Sequence, residues 1–206
     1  MKNQFTDEDL AAFKELGNVG AGHAAIALTK LFSREVDMSI PFVRVGNAEK
    51  ILKSAEMEKD ELVGFELVDV DVPVKYRLSV VFRTDVIIRL LKLLSTTTKE
   101  KIESEKDMTE MQKSLIQEIG STIILRYIAA INKMMKVESL PEDAPTFYIG
   151  SAYDALTKIS YSEQNENDII LIQLDLFTDE FKFEAMMFIQ PHPDSIDAYR
   201  EAFHIE

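Results

Sequence analysis

Glu15 and Asn18 are the two side chains of this sequence whose types and spacing best suit chemistry on a partner. They are three residues apart in a helix-patterned stretch, so a helix places the carboxylate and the carboxamide side by side on one face. Their neighbours on that face are all small, namely Ala11, Gly22 and Ala25. Exposed helix faces more often carry Lys, Glu or Gln, which favour helix formation and solubility. The five residues, called the first face below, therefore indicate contact with another macromolecule.

The glycines of this stretch favour the same interpretation. Glycine inside a helix costs roughly 1 kcal/mol relative to alanine. Gly17 and Gly20 fall on the apolar stripe of the helix, where close packing explains them, whereas Gly22 is expected to point outward. The spacing of Glu15 and Asn18 alone leaves open that they are ordinary surface polar residues, because such pairs are common on amphipathic helices.

The same pattern recurs later in the chain, which indicates an internal duplication. Phe-Lys-Glu-Leu-Gly-Asn at 13–18 returns as Ile-Gln-Glu-Ile-Gly-Ser at 116–121, an offset of 103 residues, and the stretch 62–94 resembles 168–203. A duplication places two versions of one surface on one molecule. The sequence therefore predicts a single domain over 1–206 made of two structural repeats, about 6–95 and 107–204.

The second repeat carries an altered version of the first face. Glu118 keeps the carboxylate, but Ser121 stands where the first repeat has its amide, and Ser114 replaces the first alanine. Leu125 and Ile128 replace the other two small residues. These five positions, called the second face, are bulkier and lack the amide, so they are expected to form a degenerate site that docks a partner poorly.

Capping patterns and periodicity place these faces on two long helices. Thr6 with Asp9 and Thr109 with Gln112 resemble capping boxes, and the helices are expected to end near Ser33 and Met135. Strands are predicted at 35–41, 62–70, 74–82, 136–140, 146–150, 168–176 and 181–190, and shorter helices at 46–58, 86–94 and 193–203. The prediction is an α+β fold of pseudo-two-fold symmetry, with long helices packed on one side of an antiparallel β-sheet.

The composition limits the classes of partner and cofactor. The 206 residues carry a net charge of −13 without a Lys/Arg cluster on a predicted helix face, so neither nucleic acid nor a membrane is expected as partner. The apolar runs look too short to span a bilayer, and no secretory signal is evident. Cysteine is absent, which is compatible with a cytoplasmic location. His23, His192 and His204 are scattered, so no metal site is expected.

The spacing of Glu15, Asn18 and Pro41 resembles the pattern of the CheC/CheX/FliY family of chemotaxis phosphatases, with CheC-type proteins the most similar. In that pattern an Asp or Ser is followed after three residues by Glu, after two more by Asn, and after twenty-two more by Pro. The string Lys-Glu-Leu-Gly-Asn-Val-Gly-Ala-Gly-His-Ala-Ala at 14–25 is similar to the opening helix of CheC-type proteins. Ala11 departs from the pattern, and in the second repeat Pro141 and Pro145 only flank the expected proline position.

The resemblance implies a CheC-like fold and a phosphorylated CheY-like response regulator as substrate. It implies that Asn18 orients the attacking water and that Glu15 pairs with a lysine of the receiver. The Mg²⁺ would belong to the receiver, so the chain would need no cofactor of its own. A non-catalytic alternative stays open, in which a CheC-like adaptor binds a response regulator or a CheD-type deamidase.

Overall fold

A computed structural model describes residues 5–71, 73–94, 98–161 and 169–203. Six α-helices and seven β-strands lie in these ranges. In chain order they are α1 (Asp7–Phe32), β1 (Asp37–Ser39), β2 (Val43–Gly46), α2 (Ala48–Ser54), β3 (Leu62–Val70), β4 (Tyr76–Arg83), α3 (Thr84–Leu93), α4 (Glu110–Met135), β5 (Thr146–Ser151), α5 (Ala152–Ile159), β6 (Ile169–Phe177), β7 (Lys182–Pro191) and α6 (Ile196–Phe203).

The two long helices begin and end in the same way. The Thr6 hydroxyl accepts a hydrogen bond from the backbone N–H of Asp9, and the Asp9 carboxylate accepts one from the backbone N–H of Thr6. Thr109 and Gln112 make the equivalent reciprocal pair at the start of α4. Ser33 and Lys136 end the helices with positive φ angles of 53° and 54°. Both predicted capping boxes are therefore confirmed, and each satisfies two backbone N–H groups that the helix leaves unpaired.

The sheet has the strand order β1-β6-β7-β4-β3-β5, with β2 also paired to β6, and every pairing is antiparallel. The β4–β7 pair lies in the middle, and the order is symmetric about it. On one side the β3–β4 hairpin pairs with β5 from the later part of the chain. On the other side the β6–β7 hairpin pairs with β1 and β2 from the earlier part. Each half of the chain therefore supplies an outer strand to the hairpin of the other half.

Helices cover both faces of this sheet. The larger apolar core joins one sheet face to α1, α3 and α4. A second core joins Phe65, Leu171 and Phe188 on the opposite face to α2 and α5. The residues alternate along each strand, since Ile170 and Ile172 belong to the first core whereas Ile169 and Leu171 belong to the second. The α+β prediction is confirmed, and both long helices lie on one side of the sheet as expected, whereas the short helices α2 and α5 cover the other face.

Three local predictions differ from the structure. No strand forms at 136–140, because the Asn132 side chain accepts from the Ser139 N–H and donates to the Ser139 carbonyl, which replaces ladder pairing. The strand predicted at 35–41 is reduced to β1, and Pro41 separates it from β2, which pairs further along the same neighbour. Helix α5 was not predicted.

Helix α4 also corrects the expectation about membranes. By length and composition alone it could cross a bilayer, since an 18-residue window has a mean hydropathy of 1.3. Half of that window is buried inside the protein. Ile119, Ile123 and Tyr127 are among its residues in the main core. The apolar character of α4 is therefore used in packing, as it is in the core helix of many proteins.

Candidate functional site

The first face lies on the outer side of α1. Ala11, Glu15, Asn18 and Gly22 are exposed, and Ala25 is half-buried. A Cβ atom built on Gly22 would meet no atom of the described residues within 4 Å, so packing within that part of the chain does not require a glycine here. Neither the side chain of Glu15 nor the side chain of Asn18 forms a hydrogen bond or ion pair with another residue of the described ranges. The carboxylate and the amide are thus both available to a partner from one bare surface.

Two buried glycines hold α1 in position from the inner side. A Cβ on Gly20 would lie 2.8 Å from the ring of Tyr127 in α4, closer than real Cβ contacts. The Tyr127 hydroxyl donates to the carbonyl of Gly17 at 3.1 Å and is fully buried. Burial raises the Tyr127 pKa, so the hydroxyl stays a neutral donor. Gly17 and Gly20 therefore serve close helix packing, as the sequence predicted.

Pro41 follows a residue that packs under the first face. A Cβ on Gly17 would lie 3.5 Å from the side chain of Ile40, so the chain leaving β1 passes beneath α1 one residue before Asn18. Pro41 itself is exposed between β1 and β2. Pro41 thus follows the point at which the chain, after leaving α1, comes back to pack beneath the helix that carries Asn18.

The second face is built differently around Ser121. Ser114 and Glu118 are exposed on α4, but Ser121 is half-buried. The Ser121 hydroxyl donates to Oε2 of Glu66 at 2.8 Å, on strand β3 beneath the helix. In place of an outward amide, the second helix therefore carries a short hydroxyl directed at the sheet.

Glu66 is a buried carboxyl group that was not among the site residues predicted from the sequence. Burial raises the pKa of Glu66 from its ordinary value near 4.5 to about 8, and the hydrogen bond from Ser121 opposes this shift more weakly. Its Oε1 atom has no hydrogen-bond partner within the described ranges. Any side chain at Gly120 would collide with that atom. An acidic residue within the apolar strand pattern Val-Gly-Phe-Glu-Leu-Val was the available signal.

Leu125 and Ile128 do not form the continuous bulky surface that was expected. Leu125 is 46% exposed, but Ile128 is only 3% exposed and packs in the main core. The half-buried position of Ala25 in α1 is thus occupied by a core side chain in α4. Leu125 remains as the large apolar side chain of the second face.

The described residues contain no group of three or more His, Asp or Glu side chains that could hold a metal ion. His23 lies in an open groove between α1 and α4, together with Glu118 and Arg126. His192 lies in a separate pocket with Arg77 and Tyr161, and His204 falls outside the described residues.

Comparisons with known proteins agree with this fold. The chain is 26% identical over 213 aligned residues to the CheY-P phosphatase CheC of Bacillus subtilis (strain 168), covering 95% of this chain and 93% of that protein. Its structure is similar to FliY of Thermotoga maritima, with a TM-score of 0.75, 15% identity and 97% of each chain covered. It is also similar to a chain of the FliG–FliM complex from H. pylori, with a TM-score of 0.68 and 12% identity over 96% and 100% of the two chains. No family model matches the chain.

The paired long helices on a symmetric seven-stranded sheet form a CheC-like α+β fold. The chain is similar to proteins of the CheC/CheX/FliY family.

Proposed function

We propose that the protein is an aspartyl-phosphate phosphatase that acts on a phosphorylated CheY-like response regulator in cytoplasmic chemotaxis signalling. The observation that carries this proposal is the exposed Glu15 and Asn18 pair, which has no partner among the described residues and stands on a surface of small side chains. The relative from Bacillus subtilis bears the name CheY-P phosphatase, which supports the same reaction class.

The carboxamide of Asn18 suits the hydrolysis of an acyl phosphate. The reaction transfers the phosphoryl group to water, so a catalyst mainly has to hold the water in line with the leaving carboxylate oxygen. A carboxamide has an oxygen that accepts from the water and an N–H that donates to a phosphoryl oxygen. Asn18 reaches outward from α1 and would enter the active site of the receiver. The P–O bond to the receiver aspartate breaks, and water supplies the new oxygen of inorganic phosphate.

Glu15 would fix the register of docking. It lies one helical turn before Asn18 on the same face, and a carboxylate there can form a charge-assisted hydrogen bond to a lysine of the receiver. The receiver would bring its own Mg²⁺, which neutralises charge on the phosphoryl group. The phosphatase would thus supply an amide and an anchor, while the metal chemistry belongs to the substrate protein.

Only the first face is assigned this activity. Ser121 is shorter than asparagine, and its hydroxyl is directed at Glu66 rather than at a partner. Leu125 adds exposed bulk one turn further along α4. The second face would therefore contribute little turnover, although Glu118 retains the carboxylate.

The test is the rate of phosphate loss from a phosphorylated CheY-like receiver of the same organism. Wild type should accelerate the loss, and Asn18→Ala should reduce that acceleration by roughly 10²-fold, the scale of removing one positioned catalytic group. Ser121→Ala serves as the matched control on the other helix and should retain the wild-type rate. Equal rates for wild type and Asn18→Ala would remove the catalytic assignment of Asn18.

A second candidate function is a non-catalytic adaptor that binds a response regulator or a CheD-type deamidase. The structural similarity to a chain of the FliG–FliM complex favours it, because that chain was crystallised in a protein assembly. An adaptor has no need of an amide at position 18. Receiver binding by wild type without any acceleration of phosphate loss would select this function over the phosphatase.

A further inference from the structure

Ile26 is a large apolar side chain left exposed on the same helix as the first face. It is 63% exposed in α1, where most other large apolar side chains are buried or half-buried. An exposed isoleucine gains nothing from the fold of its own chain, and burial of such a side chain by a partner is favourable. Ile26 is therefore available to a partner that lies along α1.

Helix geometry places Ile26 in line with the proposed anchor of the receiver. Glu15 and Ile26 are eleven residues apart, which is close to three full turns, so their directions around the helix differ by only about 20°. They are separated by about 16 Å along the axis. Asn18 and Gly22 lie between them on the same side. A protein that pairs with Glu15 and covers Asn18 would reach Ile26 over Gly22 and the half-buried Val19.

Open grooves run along both sides of Ile26. One has a volume of about 600 Å³ and separates it from α4, where Glu118 and Arg126 line the far wall. The other has a volume of about 640 Å³ and extends past Gly22 and Ala25 towards β1. Ile26 thus stands as a ridge that a partner can contact from both sides.

Two cations and the carboxylate of Glu118 border this ridge on the side of α4, so positive charge is in excess there. Lys30 lies one turn beyond Ile26, and Arg126 lines the same groove. Neither side chain forms an ion pair with another residue of the described ranges. A partner patch that is apolar in the middle and acidic at its margin would complement Ile26 and these two cations.

The second repeat lacks this arrangement. The residue that corresponds to Ile26 is Ala129, and the residue that corresponds to Gly22 is Leu125. The exposed Leu125 of α4 therefore lies one turn after Ser121, whereas the exposed Ile26 of α1 lies two turns after Asn18. In α4 the bulk stands where the first face is bare, and the distant contact point is missing.

We propose that Ile26 is the apolar anchor by which the protein docks a phosphorylated CheY-like receiver. The receiver would bury Ile26 under an apolar patch with an acidic margin, while Glu15 holds the other end. This inference rests on the proposed function, because the occupant is the substrate of the first face. Ile26 sets affinity and register and takes no part in the chemical step.

The experiment compares Ile26→Ser with Met111→Ser, which removes an exposed apolar side chain of α4 that is 69% accessible. Binding is measured to a CheY-like receiver held in its active form by beryllofluoride, and turnover is measured on the phosphorylated receiver. Ile26→Ser should raise both Kd and KM about tenfold, equivalent to about 1.4 kcal/mol, with kcat within twofold of wild type. Ile26→Leu should restore both constants, and Met111→Ser should leave them unchanged.

The two readouts separate this proposal from the phosphatase assignment. Wild-type hydrolysis together with unchanged Kd and KM for Ile26→Ser would overturn the anchor and leave the phosphatase standing. Weaker binding by Ile26→Ser in a protein that hydrolyses nothing would support the anchor and overturn the phosphatase. If Ile26→Ser instead abolishes self-association in analytical ultracentrifugation and keeps its receiver affinity, the occupant is a second copy of this chain and the proposal is wrong.

Discussion

Helices α1 and α4 have the same length and the same type of cap at each end, yet they present different chemistry at equivalent positions. In α1 the amide of Asn18 faces outward and is available to a partner. In α4 the hydroxyl of Ser121 is directed at the sheet and engaged by Glu66. The comparison shows that the scaffold tolerates either arrangement, so the outward amide of α1 is not required by the fold.

The cause of the difference lies in the sheet beneath each helix. A Cβ on Gly17 would be 3.3 Å from Ile172 of β6. This apolar contact requires no hydrogen-bond partner from the nearby helix residues. The equivalent glycine of α4, Gly120, faces the carboxyl group of Glu66 on β3. A buried carboxyl group needs hydrogen-bond partners, and Ser121 supplies one. Ser121 of the second face thus hydrogen-bonds to a buried group of the protein instead of facing a partner.

The largest expected effect comes from removing the carboxyl group of Glu66, which is buried on β3 beneath α4. Because the pKa of Glu66 is about 8 in the fold and near 4.5 when unfolded, the folded state binds one more proton between these values. Stability from this group is fully present below pH 4.5, falls as pH rises, and reaches its minimum above pH 8. Between pH 4.5 and pH 7 the contribution of Glu66 to the free energy of unfolding falls by about 3 kcal/mol. Glu66→Gln should therefore be increasingly more stable than wild type from pH 5 to pH 8.

Urea unfolding at a series of pH values measures this difference. Glu118→Gln is the control, since it changes an exposed carboxylate on α4, the helix that packs over Glu66. The same pH profile for wild type and Glu66→Gln would show that the carboxyl group is not held neutral under α4.

Exchanging the bulk of the two faces tests the bare surface of α1. Gly22→Leu places on α1 the side chain that α4 carries at Leu125, and it should raise KM for the phosphorylated receiver by at least about tenfold through steric exclusion. Helix stability should not suffer, because leucine favours helix more than glycine does. Steady-state kinetics give KM, and thermal unfolding verifies the fold. The reciprocal Leu125→Gly change should leave KM as in wild type, and a KM for Gly22→Leu equal to wild type would contradict the steric explanation.

The contact between the helices offers a smaller effect on stability. Tyr127→Phe removes the hydrogen bond that the buried tyrosine hydroxyl donates to the carbonyl of Gly17. The free energy of unfolding should fall by about 1 kcal/mol, as measured by chemical denaturation. Tyr148→Phe, on the strand β5 outside the helix pair, is the comparison variant. Equal stability of Tyr127→Phe and wild type would mean that ring packing alone joins the helices.

The smallest effect is expected from restoring the amide of the second face. Ser121→Asn should change turnover by less than about twofold, because Leu125 still obstructs the face and Glu66 still attracts a donor at position 121. A doubled turnover per molecule in the dephosphorylation assay would show that the missing amide was the only defect of the second site.

The sequence predicted the elements whose signals are local. Thr6 with Asp9 and Thr109 with Gln112 specify helix starts through hydrogen bonds within four residues, and both starts are confirmed. The outward position of Gly22 followed from helical periodicity alone. The roles of Glu15 and Asn18 on a receiver remain predictions, since they depend on a second protein.

The features that escaped sequence reasoning depend on distant contacts. The hydrogen bond between Ser121 and Glu66 joins residues 55 positions apart, and no local sequence pattern predicts it. Helical periodicity assigns Ile128 to the second face, and only tertiary packing decides that it is covered in the core. The absence of a strand at 136–140 follows from the side chain of Asn132, which competes with strand pairing in a way that apolar alternation does not reveal.

The exchange of outer strands between the two halves makes neither half self-sufficient. A fragment that ends before α4 would keep the β3–β4 hairpin but lose β5 from one edge and β7 from the other. Such a fragment would expose unpaired N–H and C=O groups on both edges and would be prone to aggregation. It could be completed only by the missing half or by a second fragment of the same kind. The chain therefore ought to unfold in one cooperative step despite its internal symmetry.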